Sequence, residues 1–122
     1  AASDVYKRQR LWKLIQILLS KYIDKDIRIT RIQAISGFWR SEVNDDILII
    51  NSICSISRFH IWKIRCKVKY GNESFDFQRS ARFLKFSLQS HIKNLLSSTV
   101  SDINMLNKIK RLDNIIQDIP FT

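Results

Sequence analysis

The sequence contains few residues that break a helix, with two glycines and one proline among 122 residues. So few glycines exclude phosphate-binding loops of the GxGxxG or GxxxxGK type. Two cysteines are too few for a disulfide framework and indicate a reducing compartment. No uninterrupted apolar run reaches the roughly 18 to 20 residues of a membrane span, and no signal-peptide pattern opens the chain. We therefore expect an intracellular protein, in the nucleus or the cytoplasm, with no membrane partner.

The composition is that of a folded, mainly helical chain. Apolar residues make up 45% of it and aromatic residues 11%, and its length suits one domain with a single core. Apolar residues recur at helical spacing over residues 10–23, 45–70, 74–96 and 100–117. These patterns predict an all-α, bundle-like domain of four to five helices, with the long helix 45–70 at its centre.

Particular residues mark the expected faces and ends of these helices. The apolar stripe of the first helix consists of Leu11, Leu14, Ile15, Leu18 and Tyr22. The stripe of the third helix consists of Phe77, Ala81, Leu84, Leu88, His91 or Ile92, and Leu95. The last helix carries a coiled-coil seam of Met105, Ile109, Leu112, Ile116 and Ile119, with Thr99 and Asp102 at capping-box spacing before it.

A short fifth helix is expected over residues 31–36. Thr30 and Gln33 have the spacing of a capping box at its start, and Gly37 is its expected stop. Phe38 and Trp39 follow, and we expect both rings in the core.

The start of the chain differs in character from the rest. It opens without methionine, and Asp4 to Gln9, DVYKRQ, resembles the translation of an adapter used in preparing sequencing libraries. We therefore expect residues 1–9 to be an artefactual or disordered lead-in. The domain proper would then be residues 10–98, followed by a C-terminal amphipathic helix within residues 99–122. The alternative is a genuine basic lead-in to the first helix.

The formal net charge of +10 is the strongest functional signal in the composition. A charge excess of this size is commonly matched by a polyanion, either nucleic acid or an anionic membrane. We favour RNA or DNA as the partner. The simpler alternative is a solvated basic surface.

No constellation of residues in the sequence predicts catalysis, a metal site or a cofactor. Cys54, His60 and Cys66 on one helix would point in three directions about 120° apart, at roughly 100° per residue, and no close CxxC pair occurs. Neither histidine has a carboxylate at nearby helical spacing, and no serine lies in a GxSxG setting. Capping explains the Asp45 and Asp46 pair.

The segment 58–70, RFHIWKIRCKVKY, is the best candidate for binding nucleic acid. Its candidate phosphate contacts are Arg58, Lys63, Arg65, Lys67 and Lys69. On a helix, Arg58, Arg65 and Lys69 share one face, whereas Lys63 and Lys67 share another. The aromatic residues of the segment, Phe59, Trp62 and Tyr70, are expected in the core, although such rings can also stack on unpaired bases.

The order of these elements resembles the tail of non-LTR (LINE-type) retrotransposon polyproteins, which follows the reverse transcriptase domain. The resemblance covers about residues 11–96 and is strongest at IWKxR, here Ile61, Trp62, Lys63 and Arg65. It implies a parent RNA-directed DNA polymerase, of which this chain lacks the paired-aspartate motif. The chain also lacks the cysteine and histidine spacing of the zinc knuckle found in some such tails.

Two functions follow as expectations. The first is a non-catalytic C-terminal module of a retrotransposon reverse transcriptase polyprotein that assists RNA or DNA binding and contacts the rest of the polyprotein. The second is a helical interaction or scaffold module, which would bind a partner helix through residues 105–119.

Overall fold

A computed structural model of the chain describes residues 2–24, 29, 45–98 and 102–119. Within these ranges there is no strand, and the chain forms four helices: α1 (Ala2–Ile23), α2 (Asp45–Tyr70), α3 (Phe77–Ser98) and α4 (Ile103–Asp118). The expectation of an all-α, bundle-like domain with a long helix over residues 45–70 is confirmed. The short helix expected over residues 31–36, its capping pair and stop, and the aromatic pair after it lie outside the described residues.

The four helices close into a bundle. Each helix contacts the other three, and the most extensive contacts join neighbours in chain order and α1 with α4. The core contains the apolar stripe that each helix presents inward. Its fully buried large side chains are Leu11, Ile15, Leu18, Leu19, Ile53, Leu84, Leu88, Ile92, Ile109, Leu112 and Ile116. Burial of these stripes stabilises helices that are rich in isoleucine, a mediocre helix former.

The structure resolves two alternatives that the sequence left open. In α3 the stripe continues through Ile92, which is buried, whereas His91 is only half-buried. In α4 the seam residues Ile109, Leu112 and Ile116 have no exposed surface, because they pack within the bundle. The seam of residues 105–119 is therefore occupied by the domain itself and is not open to a partner helix in this fold.

Two helices begin later than expected because a different residue caps each of them. Helix α3 begins at Phe77 and not at Ser74, since the Asp76 carboxylate accepts a hydrogen bond from the backbone N–H of Arg79 at 3.2 Å. Helix α4 begins at Ile103, and its N-cap is Asp102, while Thr99 of the expected capping box lies outside the described residues. The Asp102 side chain accepts from two backbone N–H groups of the first turn.

Helix α1 begins earlier than expected, at Ala2 and not at Arg10. Its first turns also contact the bundle, because the Lys7 ammonium donates a hydrogen bond to the backbone carbonyl of Phe75 at 2.6 Å. The Arg10 guanidinium lies 3.9 Å from the ring centre of Phe77. The expectation of a disordered lead-in is therefore wrong for residues 2–9, while their origin in an adapter stays a prediction.

A polar cluster joins three helices where α1 ends and α2 begins. The Tyr22 hydroxyl donates to the Asp46 carboxylate at 2.9 Å, and the Lys108 ammonium lies 3.3 Å from the same oxygen. The Arg111 guanidinium lies 5.3 Å from the Tyr22 ring centre. Burial of Tyr22 and its hydrogen bond to Asp46 raise the pKa of the phenol, so Tyr22 remains a neutral donor.

The turn between α2 and α3 depends on Gly71 and Asn72. The backbone N–H of Gly71 donates to the carbonyl of Lys67 at 2.9 Å, and a Cβ at Gly71 would lie 2.9 Å from the same oxygen. Asn72 adopts the left-handed conformation, with φ of 56°. Asparagine tolerates this conformation better than most residues, so the chain reverses immediately after α2.

We predict that Ile53→Ala lowers the free energy of unfolding by about 2–5 kcal/mol, since it leaves a cavity in a packed interior. Ile53 is 1% exposed. The matched control is Ile17→Ala on α1, which is 45% exposed and should cost less than about 1 kcal/mol. Urea titration of both variants measures the difference. Equal losses of unfolding free energy in the two variants would contradict the burial of Ile53 in the core.

Candidate nucleic-acid interface

The last part of α2 lies at the edge of the core. Ile61 is the last buried residue of the helix, and residues 62–70 are exposed or partly buried, with Ile64 and Val68 packed against the core. Helix α2 has 26 residues, whereas α1 and α3 have 22 each and α4 has 16. We call residues 58–70 the basic arm.

The three aromatic residues of the basic arm are exposed, so their expected place in the core is wrong. Phe59 is 61% exposed, Trp62 58% and Tyr70 75%. They lie off the face by which Ile61 and its apolar neighbours meet the bundle. The Phe59 and Trp62 rings stack on each other, with centroids 6.1 Å apart and planes inclined by 28°. The arm thus presents two adjacent ring faces at the surface.

The five predicted phosphate contacts lie on the basic arm and divide between two of its faces. Lys63 and Lys67 line a cavity against α3. The other three, Arg58, Arg65 and Lys69, do not line it, as expected from their helical spacing. Arg58 is half-buried, and the four other cations are exposed. The structure therefore brings the five residues onto one helix but not onto one surface.

Two of these cations lie against aromatic rings of the arm. The Lys63 ammonium is 5.5 Å from the ring centre of Phe59, and the Lys69 ammonium is 5.3 Å from that of Tyr70. A cation at this distance is attracted to the negative face of a ring. Positive charge and aromatic surface are therefore adjacent along the whole arm.

A groove of about 390 Å³ separates the basic arm from α3. Its walls are the arm, the turn before α3 and the first half of α3. Its charged and aromatic lining residues are His60, Lys63, Lys67, Glu73, Phe75, Asp76, Arg79, Phe83 and Phe86. Phe83 and Phe86, which are 53% and 66% exposed, were not among the site residues predicted from the sequence. The signal for them was available, since both are large aromatic residues off the apolar stripe of α3.

His60 joins the two walls of the groove. Its Nε2 lies 3.0 Å from the backbone carbonyl of Ser80, and this contact requires Nε2 to carry a proton and donate. Burial lowers the pKa of His60, the hydrogen bond to Ser80 opposes the shift, and the charges of Lys63 and Lys67 add to it. The ring is therefore neutral at pH 7, and it links the arm to α3 by a single hydrogen bond.

Thiol or metal chemistry finds little support in the described residues. Burial raises the pKa of Cys54 to about 11, so its thiol is not a nucleophile at neutral pH. Cys54 and Cys66 are both free thiols. In the part of the chain that the structure describes, no three histidine, cysteine or acidic side chains come together as metal ligands.

Helix α2 has the length and composition of a helix that could cross a membrane. Its most apolar 18-residue stretch has a mean hydropathy of 1.2. Seven residues of α2 are buried in the bundle, and core packing accounts for its apolar half. The absence of a membrane partner stays a prediction.

No protein-family model, characterised protein or solved structure matches this chain.

We predict that the protein loses stability as the pH falls through the ordinary histidine pKa of about 6.5. Burial lowers the pKa values of both His60 and His91. The unfolded chain therefore takes up protons first, and the stability present above about pH 6.5 declines as the pH falls below that value. Urea titration at several pH values measures the slope.

The variant His60→Gln, His91→Gln provides the test of this assignment. Glutamine at position 60 retains a donor for the Ser80 carbonyl, so the variant should fold at neutral pH. Its stability should change less with pH than that of the wild type between about pH 7.5 and about pH 5. An unchanged slope would show that other groups cause the dependence.

Proposed function

We propose that this chain is a non-catalytic helical module that binds RNA or DNA through the basic arm. The observation that supports the proposal best is the exposed stack of Phe59 and Trp62 beside the cations of the same helix. Cations attract the phosphate backbone without regard to sequence. Exposed ring faces stack on unpaired bases, at about 1–3 kcal/mol per base. The two features together favour a single strand over a duplex.

The density of cations on the arm and the position of the arm on α2 both favour it over other surfaces as the binding site. The chain has a net charge of +10, and five of its cations lie within the 13 residues of the arm. Because one side of the last turns of α2 is exposed, a strand could contact it without disturbing the packed half of the helix. Self-repulsion among these cations would fall when phosphates neutralise them.

The resemblance to retrotransposon polyproteins extends this proposal to a parent protein. In that proposal the chain is a C-terminal module of a reverse transcriptase polyprotein, located in the nucleus or the cytoplasm, and the rest of the polyprotein is a second partner. Of the motif residues, Ile61 is buried, whereas Trp62, Lys63 and Arg65 are exposed. A motif with three exposed positions is consistent with a role in binding as well as in folding.

The interaction or scaffold module remains the alternative. Within residues 105–119, the surface first expected for it, the seam side chains Ile109, Leu112, Ile116 and Ile119 are buried in the bundle. A protein partner would therefore have to use the exposed aromatic residues instead. Large exposed apolar patches do bind proteins. The density of cations around these rings favours nucleic acid, because a protein interface core is depleted of charge.

We predict that Arg58→Gln, Arg65→Gln, Lys69→Gln weakens single-stranded RNA and DNA binding about equally across sequences. A plot of the logarithm of the binding constant against the logarithm of the salt concentration should also become less steep, by about two to three units of slope. Each neutralised phosphate releases close to one counterion. The measurement is fluorescence anisotropy of labelled oligonucleotides over a salt series. Circular dichroism checks that the fold survives. Arg65 and Lys69 are exposed cations, which contribute little to stability, and Arg58 is half-buried.

A matched control removes the same charge elsewhere. Lys21, Lys93 and Lys110 are exposed and lie towards the other end of the bundle, where α1 ends and α2 begins. Their replacement by glutamine should weaken binding much less than the variant of the arm. Equal weakening would mean that net charge alone attracts the strand. Absence of wild-type binding at low salt would leave the interaction module as the better proposal.

We further predict that Trp62→Ala separates binding from stability. Trp62 is 58% exposed, so its loss should lower the free energy of unfolding by less than about 1 kcal/mol. Loss of one stacking surface should weaken single-strand binding by about 1–3 kcal/mol. Urea titration and anisotropy on the same preparation measure the two effects. A large loss of stability with unchanged binding would show that the Trp62 ring stabilises the fold and does not contact the strand.

A further inference from the structure

Both walls of the groove between the basic arm and α3 carry cations, and the wall formed by α3 also carries exposed aromatic rings. On the arm, Lys63 and Lys67 line the groove, whereas Phe59, whose ring centre lies 5.5 Å from the Lys63 ammonium, does not. On α3, the Arg79 guanidinium lies 6.0 Å from the ring centre of Phe83. A nucleotide presents the complementary pair, a phosphate and a flat base, a few ångströms apart. The groove therefore offers both chemistries that one nucleotide requires, cations on its two walls and exposed aromatic rings on α3.

The groove has the size of a small-molecule site. Its volume of about 390 Å³ lies near the lower end of the roughly 300–1,000 Å³ of ligand pockets. That space suits one nucleotide and is too small for a stacked base pair with its two backbones. Phe83 and Phe86 are more than half exposed, so their faces are accessible to an incoming base.

The charges of the groove favour an anion. Lys63 and Lys67 lie one helical turn apart on one wall, and Arg79 faces them from the other. The lining also contains two carboxylates, Glu73 and Asp76. Asp76 already accepts the backbone N–H of Arg79 and caps α3, so part of its charge is compensated by the helix dipole. Three cations against two carboxylates leave the lining with a small net positive charge.

The hydrogen bond between His60 and the Ser80 carbonyl fixes the distance between the walls. The His60 ring also lies 6.5 Å from the Phe83 ring, centre to centre. A strand that enters the groove would therefore meet walls that are already in place, and preorganised sites lose less entropy on binding. His60 acts here as a positioning residue.

We propose that this groove takes one unpaired nucleotide of a single-stranded RNA or DNA. The base lies against Phe83 and Phe86, and its phosphate lies between Lys63, Lys67 and Arg79. This inference rests on the proposed function and deepens it, since it names a site that the arm alone does not contain. The exposed Phe59 and Trp62 stack continues the path of the strand on the outer side of Lys63.

The test uses the whole chain with a labelled single strand of about twelve nucleotides and a hairpin duplex of the same composition. Phe83→Ala with Phe86→Ala should weaken single-strand binding about tenfold or more, while duplex binding by the cations changes little. A strand carrying 2-aminopurine, whose fluorescence reports base stacking, should be quenched by the wild type and less by this variant. Both phenylalanines are exposed, so the variant should fold, and circular dichroism checks that it does.

Two controls distinguish base stacking from general apolar contact. Phe83→Leu with Phe86→Leu keeps apolar side chains without aromatic faces and should bind almost as weakly as the alanine variant. Ile103→Ala removes an equally exposed apolar residue, 69% exposed, at the start of α4 and should bind like the wild type. Full binding by the leucine variant would overturn the proposed stacking of the base.

The outcomes separate this inference from the proposed function. If the wild type binds single strands and the Phe83→Ala, Phe86→Ala variant binds equally well, the groove is not the site, although the arm still binds nucleic acid. If the wild type binds neither single strand nor duplex at low salt, the groove inference and the proposed function both fail. Lys67→Gln supplies a second readout, because it should weaken single-strand binding without touching a ring.

Discussion

The length of α2 relative to its neighbours determines how this domain is organised. Its first half is apolar nearly all round and lies among the other helices, where Ile53 and Cys54 have almost no exposed surface. Its second half continues past the last buried residue, Ile61, with only Ile64 and Val68 packed against the core as partly buried residues. Helix α2 has 26 residues and the shortest helix, α4, has 16, so the neighbours cover one side of the second half and leave the other exposed. The same rigid element is therefore both the core of the bundle and the support of the basic arm.

The reversal after α2 turns this arm into one wall of a groove. Gly71 allows a close approach to the Lys67 carbonyl that a Cβ would obstruct, and Asn72 takes the left-handed conformation. Asp76 then caps α3 within a few residues, so α3 returns directly alongside the arm. The hydrogen bond from His60 to Ser80 joins the two helices near this turn. A longer connection would separate the walls, and the charged and aromatic residues of α3 would no longer face those of the arm.

Sequence patterns predicted the helices and their buried stripes because hydrophobic periodicity is local. The stripe through Ala81, Leu84 and Leu88 is an example, and so are the limits of α2. The exposure of Trp62 could not be predicted in the same way, since it depends on how far the neighbouring helices extend beside it. Phe83 and Phe86 were detectable as aromatic residues off the stripe, but only the fold shows that they face the arm.

The contacts between cations and rings affect both the association of this surface with other chains and its binding of a nucleotide. Exposed aromatic residues would promote association between chains, and nearby like charges oppose it. Lys63 lies over Phe59, and Arg79 lies beside Phe83, so each cation partly covers a ring in the free protein. These contacts are weak at exposed sites, about 0.5–1 kcal/mol. A phosphate could therefore draw the cations aside at small cost and leave the ring faces open to a base, so that both parts of a nucleotide would engage the surface together.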